Sequence, residues 1–141
     1  SWNRGMEARA TKVTLTVNKP TIFVRESDYG RLTALAQASV NKDMAVGDEL
    51  MAELERATVV ADGAAAQRTI QMGSTATYQT GTNEPRTVTL VYPGEANIEE
   101  NRISILTPIG AALLGLSKGQ SINWVARDGT THTLKVMSVG K

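Results

Sequence analysis

The acids between residues 43 and 55 are the densest set of side chains in this sequence able to do chemistry: Asp43, Asp48, Glu49, Glu53 and Glu55. Paired carboxylates hold Mg²⁺ through hard oxygen ligands, and a pair carried on a projection can complete a metal centre in another protein. For that they must sit at a tip and reach the partner. Over residues 26–57 seven acids accompany three bases, a local net charge of −4 against +5 for the balance of the chain. Such polarity would steer the segment toward a basic cleft. It also suits helix starts, where the macrodipole favours negative side chains. Asp43 is the acid that helix capping explains least.

Other reactive types are sparse. His132 is the single histidine, and in the alternating run "TTHTLKV" it reads as a surface strand residue with no activated nucleophile beside it. No phosphate-cradling glycine loop of the "GxxxxGK[ST]" or "GxGxxG" kind occurs. Zero cysteines removes thiolate catalysis, disulfides and Cys-based zinc sites, and suits a reducing compartment. A non-catalytic protein with no metal and no cofactor is expected. The formal net charge of +1 over 141 residues gives no global drive toward nucleic acid or an anionic membrane. Basic–aromatic alternation is absent, so strong direct nucleic-acid binding is not expected, and Trp124 reads as core or interface. The longest apolar run falls well short of the roughly 20 residues that span a bilayer. The opening "SWNRGMEARATKV" lacks the apolar core of a secretion signal, and a cytoplasmic location is expected.

Aromatics are 4% of a chain that is 41% apolar, so the core must be aliphatic. Short β-prone runs at 13–17 and 21–24 precede the first helix signal, with Pro20 discouraging one continuous strand. Ser27 or Asp28 is the expected N-cap, and Tyr29, Leu32, Leu35, Ala36 and Ser39 recur near a helical period. After a connector over 41–47, Asp48 is the expected second cap, with Leu50, Met51, Leu54 and Ala57 as the apolar stripe. Two arms of about 12 residues, each about 18 Å long, should fold back as an antiparallel hairpin. The small-residue stretch "ADGAAA" then separates period 3.6 from period two. Strands are expected over 69–72, 75–79, 86–92, 102–106, 120–126 and 131–139. Between them one short apolar helix starts at Thr107 as N-cap and Pro108 at the first helical position, and stops at Gly115. With little polar surface it must be wrapped by its neighbours.

The order "KPTIFV", "VGDELMAELERA", "TVTLVYPGEAN" and "ISILTPIGAALLGLSKGQSINW" resembles the GreA/GreB transcript-cleavage factors, in their short-armed Rnk branch, over residues 19–140. The resemblance implies an α+β fold: a short helical hairpin or coiled coil (21–62) and an FKBP-like antiparallel sheet wrapped on one short helix (63–141), preceded by an N-terminal extension (1–20) whose extra strand lies outside the resemblance. It implies RNA polymerase as partner, docked near the secondary channel, with Thr107, Pro108, Asp43, Asp48 and Glu49 as candidate contacts. Leu106 and Gln120 stand where members of the family carry acids. Arms this short should stop before the polymerase's metal centre, so competition with Gre factors is the expected role. An active transcript-cleavage factor and a peptidyl-prolyl isomerase are the alternatives. The strand over 13–17 offers a route to self-association.

Overall fold

In the computed structural model, residues 20–125 and 128–140 are described. The expected strand over 13–17, and the self-association assigned to it, lie outside them. Strand β1 (Phe23–Arg25) runs directly into α1 (Glu26–Asn41), and Lys42, Asp43 and Met44 turn the chain into α2 (Ala45–Arg56). Strand β2 (Thr58–Val60) then returns parallel to β1, with Phe23 opposite Thr58 and Arg25 opposite Val60. After the single turn α3 (Ala64–Gln67) come β3 (Thr75–Thr80), β4 (Arg86–Val91), β5 (Arg102–Ser104), α4 (Pro108–Leu113), β6 (Ser121–Val125) and β7 (Thr131–Gly140). The five strands β3 to β7 form one sheet in the order β5-β4-β3-β7-β6.

That sheet is mixed where a wholly antiparallel one was expected. β4 and β5 are parallel, Thr89 opposite Arg102 and Val91 opposite Ser104. The reason lies in residues 92–101, which make two short 3₁₀ turns (Pro93–Glu95 and Ile98–Glu100) and end on Asn101 at φ 60°. This detour carries the chain back along β4 before β5 begins, so a hairpin cannot form. The expected strand over 69–72 is likewise reduced to one bridge, Thr69 to Ser117, with Ile70 donating to the Leu116 carbonyl and accepting from the Gly115 amide. Beyond it Gly73, at φ 88°, bends the chain away.

Helix boundaries differ from the expected caps for tertiary reasons. The N-cap of α1 is Arg25, with no side-chain cap bond. The Ser27 hydroxyl is taken by the Asp62 carboxylate at 2.9 Å. Asp28 is held by Arg25 at 2.6 Å on one oxygen and by the Tyr92 hydroxyl at 3.1 Å on the other. Similarly α2 starts at Ala45, so Asp48 lies inside its first turn. The earlier start follows from Gly47: a Cβ there would lie 2.6 Å from the Val40 nitrogen and 2.8 Å from the Ser39 Cβ. Only glycine lets the arms approach so closely near the turn. At the other end Tyr29 donates to the Leu54 carbonyl, so the arms run antiparallel. With 16 and 12 residues they are about 24 and 18 Å long.

The core is aliphatic, as composition requires, and it is continuous. Leu32, Leu50 and Leu54 from the hairpin join Ile70, Leu90, Leu113, Ile122 and Leu134 in one buried cluster. α4 packs against both α2 and β6, so the root of the hairpin helps to wrap it. The outward face of the sheet is knitted by hydroxyl pairs, Thr75–Thr89 at 2.8 Å and Thr77–Thr87 at 2.7 Å. Trp124 stands opposite His132 in the ladder; its side chain is outside the described set.

Tyr92 links the sheet to α1. Its hydroxyl donates to Asp28, and the Arg31 guanidinium lies 3.6 Å from its ring centroid. Burial, then the Asp28 charge, push the phenol up from 10.0 to about 12. A raised phenol keeps its proton in the folded state after the unfolded chain has released it. The associated stability is therefore complete below pH 10 and is lost between pH 10 and about pH 12. Urea unfolding across this window should show the decline. Tyr92→Phe should retain only the share due to Tyr78, whose phenol burial also raises, and should lose about 1.5–3 kcal/mol at neutral pH, as for a hydrogen bond to a charged group.

Candidate functional site

The short helix α4 opens on a cap built from residues 104–110. The Thr107 hydroxyl accepts from the Gly110 amide at 3.0 Å and donates to the Ser104 carbonyl at 2.8 Å. Pro108 fills the first helical position, where its missing N–H leaves no bond unmade. The cap thereby fixes α4 against the end of β5. Between α4, β5 and the 3₁₀ turn at Ile98–Glu100 lies a groove of about 450 Å³. Ile98, Ile103, Pro108, Ile109 and the ring of Tyr78 line it, with Arg86 and Arg102 also on the wall.

Ile98 is the residue that sequence reasoning passed over. It is 79% exposed, the most exposed large apolar side chain described. In "EANIEE" it reads as one apolar letter in a polar turn. The turn is held open by Asn97, whose side-chain oxygen accepts from the Glu99 amide, and by Arg102, which pairs with Glu100 at 2.7 Å and donates to the Glu95 carbonyl. An isoleucine held in water on a braced turn, beside a mainly apolar groove, has the character of an anchor for another surface.

The expected contact residues divide between two places. Pro108 is on the groove wall, and Thr107 is there too with its hydroxyl engaged in the cap. Asp43 is at the hairpin turn, exposed and left-handed at φ 59°, a conformation that Asp tolerates better than most residues. That supplies the local reason for an acid at this position. Asp48 is exposed one turn into α2, and Glu49 is half-buried. None of these three lines the groove. Of the other hairpin acids, Glu53 is 4% exposed and paired with Arg56 at 2.7 Å, which makes it a structural carboxylate. Gln120, in place of an acid, accepts from the Ser117 amide at 2.8 Å and closes the turn before β6.

Among the described residues, no group of three or more His, Asp or Glu side chains is placed to hold a metal ion. His132 is exposed and bonded to the Thr130 hydroxyl at 2.8 Å, which itself donates to Asp128 at 2.6 Å. Because Thr130 gives its proton to Asp128, it must accept from the imidazole. That is the reverse of a nucleophile activated by a base. The Thr130 hydrogen bonds also hold the Asp128 carboxyl below its usual range. The groove lining carries one aromatic ring among mainly apolar side chains. No described helix is long and apolar enough to cross a membrane.

Comparison with known proteins finds two family matches along the chain. The family described as Rnk N-terminus matches residues 20–60, and that described as transcription elongation factor GreA/GreB, C-terminal, matches residues 65–141. The chain is similar to the regulator of nucleoside diphosphate kinase of Escherichia coli K12, 31% identical over 124 residues, 87% of this chain and 91% of that protein. It is also similar to transcription elongation factor GreA of Thermodesulfovibrio yellowstonii, 29% identical over 92 residues, 64% of this chain and 58% of that one. A solved GreA/GreB elongation factor from Nitrosomonas europaea has a TM-score of 0.68 at 33% identity, over 87% of this chain and 100% of that one.

Proposed function

Since the chain belongs to the GreA/GreB transcription elongation factor family and carries an Rnk-type N-terminus, we propose that it is a cytoplasmic, non-catalytic modulator of transcription that binds RNA polymerase near its secondary channel. The groove beside Pro108 carries this reading: it offers an apolar docking surface with an exposed anchor. Residues 63–141 act as an FKBP-like docking body, and residues 21–62 as a short coiled coil pointing into the channel. The arms, about 18–24 Å long, spend their root on the shared core, since Leu32, Leu50 and Leu54 are fully or almost fully buried there. Only the turn and the neighbouring helix ends are left to project. Such a stub fills an entrance without supplying ligands at the metal inside, and it excludes a Gre factor from a shared surface by mass action.

Immobilised polymerase should retain the protein at micromolar concentration, and a Gre factor should displace it. Absence of retention rejects the reading. Added to backtracked complexes the protein should release no shortened RNA. Release of RNA that disappears on replacing Asp43 or Asp48 with Ala would instead favour the cleavage-factor reading, for which exposed acids at the hairpin end are the supporting observation.

A further inference from the structure

We infer that Gln71 is the positioning residue that sets the aim of the helical hairpin relative to the sheet. Its side chain is 2% exposed and makes every bond available to a strand neighbour. Its oxygen accepts from the Arg25 amide at 3.0 Å, and its nitrogen donates to the Phe23 carbonyl at 2.7 Å. One side-chain amide thus takes the donor and acceptor that β1 would otherwise offer to another strand. The second proton of the same nitrogen goes to the Thr69 hydroxyl at 2.7 Å, which donates onward to the Ala66 carbonyl at 2.9 Å. Gln71 is itself anchored, its backbone amide donating to the Ser74 hydroxyl at 2.9 Å.

The position of this bond pair gives it leverage. Arg25 is the last residue of β1 and the N-cap of α1, so holding its backbone holds the start of the helix axis. The other leg returns through β2, paired to β1, so both arms are rooted in the same two strands. For an arm of about 24 Å, a swing of 20° at the root carries the tip roughly 8 Å. Other ties cross the joint as well, Arg25 Nη2 to the Met72 carbonyl at 2.9 Å, the Phe23 amide to the Gly115 carbonyl at 3.3 Å, Tyr92 to Asp28, and Arg31 over the Tyr92 ring. Arg25 keeps 30% of its side chain exposed, where water can replace a lost partner. Gln71 has no such substitute. Opening its contacts strands buried donors and acceptors on both sides, which makes the joint stiff.

The inference rests on the hairpin acting as an aimed projection, and its test needs no polymerase. The chain has no cysteine, so Lys42→Cys and Lys135→Cys, both at exposed positions, place two spin labels without background. Pulsed electron–electron resonance on the otherwise unchanged protein should give one narrow distance distribution. Gln71→Leu should broaden it at least twofold while circular dichroism stays that of the folded chain. An unchanged width in folded Gln71→Leu overturns the inference. If that variant does not fold, hydrogen exchange of the native protein decides: the Arg25 amide should exchange as slowly as the core amide of Leu90, and exchange near the free-peptide rate overturns it. Failure of polymerase retention with a normal broadening would reject the docking proposal and leave the role of Gln71 standing.

Discussion

Gly110→Ala is expected to cost about 3 kcal/mol, at the upper end for overpacking of a rigid site, read as a lower denaturant midpoint at unchanged slope. Gly110 is the third residue of α4, and its amide closes the cap on Thr107. A Cβ at this position would overlap the Ser104 carbonyl oxygen and lie 2.9 Å from Thr107 Oγ1 and 3.0 Å from the Ser104 carbonyl carbon. None of these atoms is the loose end of a flexible side chain. Two belong to the backbone of β5, and the third is held by two hydrogen bonds. Relief therefore requires α4 and β5 to separate, which opens the groove and lifts a helix whose Leu113 has no exposed surface. Gly30→Ala is the matched control: it lies in α1 with nothing within 4 Å of the added carbon. It should stabilise the protein by about 0.5–1 kcal/mol through backbone entropy. Equal stability of the two variants would show that helix and strand do not meet as described.

The same cap was legible in the sequence because its signals are local. A threonine that can bond the third helical amide and a proline that lacks its own N–H mark a helix start wherever the chain runs. The alternating runs behind β3, β4 and β7 were readable for the same reason, since period two needs only one buried face. Asp28 and Asp48 misled because a capping residue is defined by what its side chain bonds. Asp28 is taken by Arg25 and Tyr92, while Asp48 is displaced into the helix by the approach at Gly47. The direction of β5 was hidden because three residues carry too little pattern to reveal it. Gln71 and Ile98 were invisible for complementary reasons. One is a polar side chain buried by partners 46 to 48 positions away, and the other an apolar side chain left in water by a braced turn. Both roles arise from tertiary placement, which hydrophobic periodicity does not encode.

That placement makes Ile98 the sharpest probe of the proposed docking. Ile98→Asp is expected to weaken retention on polymerase at least tenfold and to leave folding stability within about 0.5 kcal/mol, as for surface substitutions. An isoleucine at 79% exposure gives the free protein almost nothing, yet burying it against a partner contributes about 1.5–3 kcal/mol. At about 1.4 kcal/mol per decade, that range corresponds to roughly ten- to a hundredfold in affinity. The new carboxylate adds the cost of desolvating a charge in an apolar groove, with Glu99 and Glu100 already adjacent in the chain. Lys135→Ala, an exposed change in β7 outside the groove lining, should leave retention as it was and thus controls for general charge effects. Measured at two salt concentrations, the loss at Ile98 should persist, because apolar contact is not screened as surface charge is. If Ile98→Asp binds like the unaltered chain, the groove is not the docking face. The contacts proposed for Thr107 and Pro108 then fall with it, because those residues would have no function beyond starting the helix.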